Sequence, residues 1–402
     1  MGELYPMESN SSLRNDFRQE LTNILTYWEK YTVDTEEGGF YGRLTEDDQV
    51  VAGAVKGSVL NARILWSFSA AYHLTGVPRY RELAERSLRY IKDYFMDPEF
   101  GGVYWSVSSK GLPMDTKKQV YALAFTIYGL SEYSRATGDA VSLEWAKGLY
   151  QDIEKHSYDL RKGGYLEALT REWNEIADLR LSDKDANEKK TMNTHLHVLE
   201  AYTNLYRIWP DKELAGKIRE LIGVFIRPII DPKTGHLVLF FTEDWERRSD
   251  IISYGHDIEA SWLLAEAAEV LEDPPLLQRV QDLSVKIALA STGGLRPDGS
   301  MIYEFDRTQN HRIEERHWWV QAEAMVGFLH AWKLTGESHF YKKFRALWDF
   351  TREQIIDRLH GEWFWGVKGD GSLMKGEDKA GFWKCPYHNS RACIEIIRRL
   401  ED

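Results

Sequence analysis

Apolar positions along this chain keep changing rhythm. Across residues 55–74, Val59, Ala62, Arg63, Trp66, Ala70 and His73 fall three and four apart, which predicts a helix. After Gly76-Val77-Pro78 a second, more polar helix follows, so the two make a helical hairpin. The pattern recurs at 119–136 with 140–155, 192–208 with 212–225, 258–271 with 275–289, and 319–334 with 337–355. A last helix from Asn389 pairs with one at 17–31, giving twelve in all. In each pair the first helix is richer in apolar and aromatic residues and the second in Lys, Glu and Arg, as an inner and an outer ring require.

Between the helices stand glycine-aromatic stations: Gly38-Gly39-Phe40-Tyr41, Gly101-Gly102-Val103-Tyr104-Trp105, Gly163-Gly164-Tyr165-Leu166, Gly235-His236-Leu237, Gly293-Gly294-Leu295 and Gly361-Glu362-Trp363-Phe364-Trp365. Gly39, Gly102, Gly164, Gly235, Gly294 and Gly361 are 63, 62, 71, 59 and 67 residues apart. Turn chemistry followed by strand formers predicts a short β-hairpin at each station. Six helical hairpins of this period predict an all-α fold, an (α/α)6 barrel whose inner helices converge on a pocket roofed by the connecting loops. Straight helical solenoids have shorter repeats, of about 33 to 47 residues. The whole chain, 1–402, reads as one catalytic domain.

The composition fits one large core. Hydrophobic residues make up 43% of 402 and charged residues 28%, as in ordinary globular proteins. Asp and Glu outnumber Lys and Arg by 63 to 51, and no basic run stands out, so neither nucleic acid nor another polyanion is an expected partner. The start, MGELYPMESNSSLRNDF, lacks a basic segment followed by an apolar one, and no run of about 18 apolar residues occurs. A cytoplasmic monomer with no membrane contact is the expectation. Cys385 and Cys393, eight residues apart on what reads as one helix, are too distant to bridge and are expected to be reduced and structural. The 15 Trp and 21 Tyr depart from the average and imply a flat, partly polar ligand.

In a barrel, the N-terminal ends of the inner helices meet at one rim, and polar residues recur there. They are Arg63 in NARILWSF, Tyr121 in QVYALAF, Asn193 and His197 in MNTHLHVLEAY, and His256 and Glu259 in SYGHDIEASWLL. HWWVQAE adds His317, Trp318 and Trp319, and FWKCPYHNSRA adds Trp383 and His388. His256 and Glu259 are three apart and share a helix face, where a carboxylate would orient the imidazole and raise its basicity. The bland alternative makes His256 a helix-start residue and Glu259 a solvated neighbour. His195 and His197 point to different sides, so only His197, which shares a face with Asn193, is expected in the lumen. His388 and Arg391 can face one cavity. Trp318 and Trp319 are adjacent, so one is expected in the core and one in the pocket, while Trp383 precedes its helix. Indole faces suit the C–H faces of pyranose rings. No spacing for a metal, nucleotide or other cofactor is present, so none is expected.

NARILWSF, MNTHLHVLEAYTNLYR, SYGHDIEASWLL, HWWVQAEAMVGF and FWKCPYHNSRAC together resemble the cellobiose 2-epimerases of the N-acylglucosamine 2-epimerase superfamily, over essentially the whole chain. The resemblance implies an (α/α)6 barrel with no metal or nucleotide, and reversible epimerisation at C2 of the reducing-end glucose of a β-1,4-linked disaccharide. It implies His256 and His388 as the acid-base pair, Glu259 as support for His256, and Arg63, Asn193 and His197 at the reacting sugar end. Trp318 or Trp319 and Trp383 would stack on the two rings, with Tyr121, Asp185, Glu323 and Arg391 as further pocket residues.

That chemistry needs ring opening, removal of the C2 proton to give an enediolate, and reprotonation from the opposite face. Two bases flanking C2 achieve this, as does one base with rotation about C2–C3. Arg63 and His197 suit the developing oxyanion, where each preorganised donor is worth roughly 3 to 4 kcal/mol. Rival readings are an inverting glycoside hydrolase using two of Asp185, Asp257, Glu259 and Glu323, a non-catalytic oligosaccharide-binding protein, and a mannobiose epimerase, N-acetylglucosamine epimerase or mannose isomerase on the same scaffold.

Overall fold

The computed structural model describes residues 10–401, so the first half of the stretch inspected for a leader lies outside the described residues. Twelve α-helices alternate along them: α1 (Asn10–Tyr31), α2 (Ser58–Thr75), α3 (Pro78–Tyr90), α4 (Val120–Thr137), α5 (Ala140–His156), α6 (Met192–Tyr206), α7 (Lys212–Val224), α8 (Tyr254–Glu269), α9 (Pro274–Ser291), α10 (Trp318–Thr335), α11 (Ser338–Phe350) and α12 (Tyr387–Arg399). Each even helix packs on the next, and α12 packs back on α2, so the inner ring closes. The rest form the outer ring, with α1 lying against α12.

The two rings differ as the sequence predicts. α4 is buried without a break from Val120 to Ser134, while α5 buries only Ser142, Ala146, Leu149, Tyr150 and Ile153. A helix apolar all round belongs in the middle; one with a single apolar stripe belongs outside. Left-handed glycines end α2, α4 and α10, and Asp139, Asp211 and Asp273 cap α5, α7 and α9. The outer helices α3, α7 and α11 each end in a π-helical turn, and the one at Phe225–Ile229 accommodates Pro228.

Two helix starts differ from the sequence reading. α8 starts at Tyr254 rather than 258, with Tyr254, Gly255 and Asp257 of its first turn buried. α12 starts at Tyr387, after Pro386. Cys385 therefore lies before that helix rather than on it; both cysteines are buried and free. The stations close by single antiparallel bridges, such as Met96 with Val103 and Tyr158 with Tyr165, rather than by full hairpins. Most strand pairing joins neighbouring units instead: Lys118–Gln119 pairs with Ala168–Leu169, and Lys190–Thr191 with Phe240–Phe241.

A recurring ion pair ties these layers together. Lys56 Nζ donates to Asp34 at 2.7 Å and to the Gly38 carbonyl at 2.8 Å; Lys118 does so to Asp97 and Gly101, and Lys190 to Asp159 and Gly163. Lys379 bonds Asp357 in the same way. Lys56, Lys118 and Lys190 sit just ahead of α2, α4 and α6 and each aspartate heads a station, so these three pairs set the angle at which those helices enter the lumen. The ring itself is clasped by reciprocal bonds: Trp28 Nε1 donates to Glu362 and Trp363 Nε1 to Glu20, both at 2.7 Å.

Candidate active site

Where the inner helices begin, a cavity of about 430 Å³ opens, within the size range of small-molecule sites. Of the residues singled out from sequence, Arg63, Tyr121, Asp185, Asn193, His197, His256, Glu259, His317, Trp318, Trp319, Trp383 and His388 border it. A larger groove, about 570 Å³, runs outside the ring between α1 and the loop at 356–361, away from these convergent imidazoles.

Three histidines at the cavity have Nδ1 tied to the protein, and among the described residues none holds their Nε2. Ser253 Oγ lies 2.8 Å from His256 Nδ1, Glu200 Oε2 lies 2.8 Å from His197 Nδ1, and Glu323 Oε1 lies 2.7 Å from His388 Nδ1. Tying one ring nitrogen fixes the plane of the imidazole and presents the other nitrogen to a ligand. Burial, then His197 and Arg63, push the His256 pKa down to about 3. Burial, then Arg63 and Arg391, push His388 well below the ordinary histidine value. Both rings are therefore neutral at pH 7 and able to accept a proton.

The Trp319 indole touches both rings, its centroid 4.8 Å from His256 and 5.6 Å from His388. Gly255 makes that placement possible, because a Cβ there would meet Trp319 at 2.5 Å. Trp318 also borders the cavity, tilted against Trp365 at 4.7 Å. Of the adjacent pair Trp318 is the core residue and Trp319 the part-exposed one, and both reach the cavity rim from the first turn of α10. Trp318 Nε1 and Asn193 Oδ1 are buried without protein partners, offering a donor and an acceptor to hydroxyl groups. Arg63 donates to the Tyr121 hydroxyl at 2.7 Å and lies 4.1 Å over the Phe125 ring.

Two further expectations change. Glu259 does not hold His256: Arg391 Nη2 takes its carboxylate at 2.5 Å, and burial, with Glu323 adding to it, raises its pKa to about 7. Glu323 and Arg391 do not border the cavity but lie behind its wall, where Glu323 holds His388 and Arg391. Glu259, Glu323 and His388 present ligand atoms within 4.8 Å of one another, yet Arg391 donates to both carboxylates there, so a metal ion would meet a guanidinium. His195 is structural, as expected. Its Nδ1 lies 2.6 Å from the Thr191 carbonyl and its Nε2 accepts from the Tyr165 amide.

Sequence reasoning missed Glu200, although His197 and Glu200 show the same three-residue spacing that singled out His256 and Glu259. Burial raises the Glu200 pKa, but Arg391 and His197 outweigh it and bring the value to about 2. It also missed Ser253, a strand residue ahead of α8, and the roof that Leu181 to Lys184, Tyr303, Trp365 and Glu377 form around Asp185. Asp185 folds back to accept from the Ser182 amide and hydroxyl at 2.9 and 3.0 Å, stiffening that roof. The loop carries no apolar period to read.

Comparison with known proteins agrees with this geometry. The sequence pattern of the N-acylglucosamine 2-epimerase (GlcNAc 2-epimerase) family matches residues 39–392. A cellobiose 2-epimerase of Bacteroides fragilis is 54% identical over 96% of this chain and 98% of its own, and one of Ruminococcus albus is 39% identical over 96% and 99%. A solved cellobiose 2-epimerase from Bacillus thermoamylovorans superposes with a TM-score of 0.93 at 41% identity, over 97% of this chain and 100% of its own. With a family match across most of its length and relatives this similar over nearly all of it, the chain belongs to the N-acylglucosamine 2-epimerase family.

Proposed function

We propose that the protein inverts C2 of the reducing-end glucose of β-1,4-linked disaccharides, converting cellobiose to glucosyl-mannose and lactose to epilactose. The observation that carries this is the pair of neutral imidazoles, His256 and His388, both against Trp319 and both bordering one cavity. An imidazole carries the anomeric O1 proton to O5, opening the ring with no net change in protonation. The C2 proton, made acidic by the new aldehyde, then passes to an imidazole, and the electron pair moves into an enediolate.

In the two-base form, one neutral imidazole takes the C2 proton while the other, first protonated from water, delivers its proton to the opposite face. Each turnover exchanges their states, so the reverse reaction starts ready. In the one-base form, the same imidazole returns the proton after rotation about C2–C3. Arg63 steadies the oxyanion on O1, while His197, its Nδ1 held by Glu200, meets a substrate hydroxyl through Nε2. Asn193, Tyr121, Asp185 and the Trp318 indole bind hydroxyls, and Trp319 and Trp383 face the two rings.

Hydrolysis by paired carboxylates fits less well. Glu323 is behind the wall and Asp257 is occupied by His236 Nδ1 at 2.6 Å and the Leu237 amide at 2.8 Å. A monomer acting on free disaccharide in the cytoplasm without a cofactor completes this reading. No helix among the described residues is long and apolar enough to cross a membrane.

Cellobiose incubated in deuterated water is expected to gain deuterium at C2 of its reducing glucose and to yield glucosyl-mannose by NMR. Release of free glucose, or no C2 exchange, overturns the proposal. Parallel incubations with mannobiose, mannose and N-acetylglucosamine rank the substrates.

A further inference from the structure

Arg391 touches three carboxylates, Glu259 at the cavity and Glu200 and Glu323 behind its wall. Its Nη1 donates to Glu200 and to the Tyr387 hydroxyl. Its Nη2 donates to Glu259 at 2.5 Å and to Glu323 at 2.7 Å. Glu200 also meets the Nδ1 of His197 and the Tyr387 hydroxyl, and Glu323 the Nδ1 of His388 and the Trp262 indole N–H. One guanidinium, 1% exposed, thus stands at the centre of a chain that runs from imidazole to carboxylate to guanidinium to carboxylate to imidazole.

The charge on a carboxylate decides what it asks of an imidazole. An ionised carboxylate only accepts, so the ring must place its proton on Nδ1 and leave Nε2 as an acceptor. A protonated carboxyl group donates, so the ring must accept at Nδ1 and carry its proton on Nε2. A buried carboxylate without a cation takes up a proton rather than stay charged. We propose that Arg391 is a positioning residue that holds His197 and His388 in the same tautomer at once: by keeping Glu200 and Glu323 ionised it fixes both rings as Nδ1–H donors and turns both Nε2 atoms to the substrate as proton acceptors. The inference rests on the epimerase reading only for the use made of those acceptors.

His256 is the built-in control, since its Nδ1 partner is the Ser253 hydroxyl, which serves either tautomer. The fork geometry matters as much as the charge: a lysine ammonium is a point charge and cannot span carboxylates grasped by two separate nitrogens.

The test is long-range ¹H–¹⁵N NMR on the whole protein labelled in histidine, with the ring signals assigned through His197→Asn and His388→Asn. The wild type is expected to show His197 and His388 each wholly as the Nδ1–H tautomer. Arg391→Met is expected to abolish that single-tautomer signature in both rings and leave His256 unchanged, and Arg391→Lys to restore it in one ring at most. Glu323→Gln is expected to move His388 alone and Glu200→Gln to move His197 alone; these two variants keep the test open should Arg391→Met not fold. Unchanged tautomers in folded Arg391→Met, rescue of both rings by lysine, or glutamine variants that leave both rings unmoved overturn the proposal. A wild type with both tautomers fixed but no C2 deuterium exchange overturns the epimerase reading and leaves this one standing.

Discussion

Arg63 is 3% exposed and, among the described residues, makes no ion pair. Its polar contacts are the Tyr121 hydroxyl at 2.7 Å and, weakly, the Cys385 sulfur at 3.9 Å, and its charge rests over the rings of Phe125 and Tyr387 at 4.1 and 4.8 Å. A buried cation without a counter-ion is expected to serve a charge that exists only during reaction, here the enediolate. Arg63→Met keeps most of the stem and removes the donor. Losing one donor to a developing oxyanion costs about 2.7 to 4 kcal/mol, or about 10² to 10³ in kcat. The fold fares differently. Several kcal/mol of desolvation penalty disappears, against about 1 kcal/mol for the tyrosine bond and up to about 2 kcal/mol for each ring contact. These nearly cancel. The expected outcome is kcat for cellobiose down at least a hundredfold by product NMR, KM changed little, and a calorimetric Tm within about 4 °C of wild type. A kcat within tenfold of wild type refutes the reasoning, as does an activity loss that simply follows loss of folded protein.

Three other outcomes follow from the same contacts. Lys190→Met is expected to cost about 3 to 5 kcal/mol in urea unfolding, because Asp159 is left without a cation; Lys118→Met costs less, because Arg171 still holds Asp97, and the reverse order speaks against the pairing argument. Stability should stay nearly level from pH 7 to 5 and fall steeply below about pH 4.5. His195, His256 and His330, at about 4, 3 and 3, refuse protons that the unfolded chain binds below about 6.5, which costs stability on acidification. Glu20, Glu167, Glu259 and Glu304, each at about 7, bind protons that the unfolded chain does not, which returns it until about 4.5, where Glu132, Glu200 and Glu395, at about 2, begin to lose theirs. Tm scans across this range check it, and a fall steeper above pH 5 than below 4.5 contradicts it. Trp383→Ala should raise KM for cellobiose about tenfold with kcat within about twofold, the worth of one ring face; a kcat effect larger than the KM effect would place that indole at the reacting carbon.

The sequence carries the architecture because two rings of helices need two different faces, and that difference is written at every third or fourth position. It also carries the cavity's polar residues, since they stand at the starts of inner helices, where side chains have nowhere to go but the lumen. What stays hidden depends on who reaches a group first. His-x-x-Glu occurs at both His197 and His256; in the former the pair forms, in the latter Arg391, some 130 residues later, captures Glu259. Spacing places two groups on one face but leaves open a third claimant from another helix. The Lys–Asp pins went unread for a similar reason: a lysine beside an inner helix looks like surface until the next station is folded over it.

The clasp between α1 and the sixth unit joins residues 334 and 343 positions apart. Linear repeat arrays gain stability neighbour by neighbour and need polar caps. A ring needs no caps, but its first outer helix stays unpartnered until the last inner one has left the ribosome. Through nearly all of synthesis Phe17, Leu21, Ile24 and Trp28 have no permanent cover. Growth of this chain is therefore a long exposure of one apolar stripe, ended by a single late event rather than by gradual accretion.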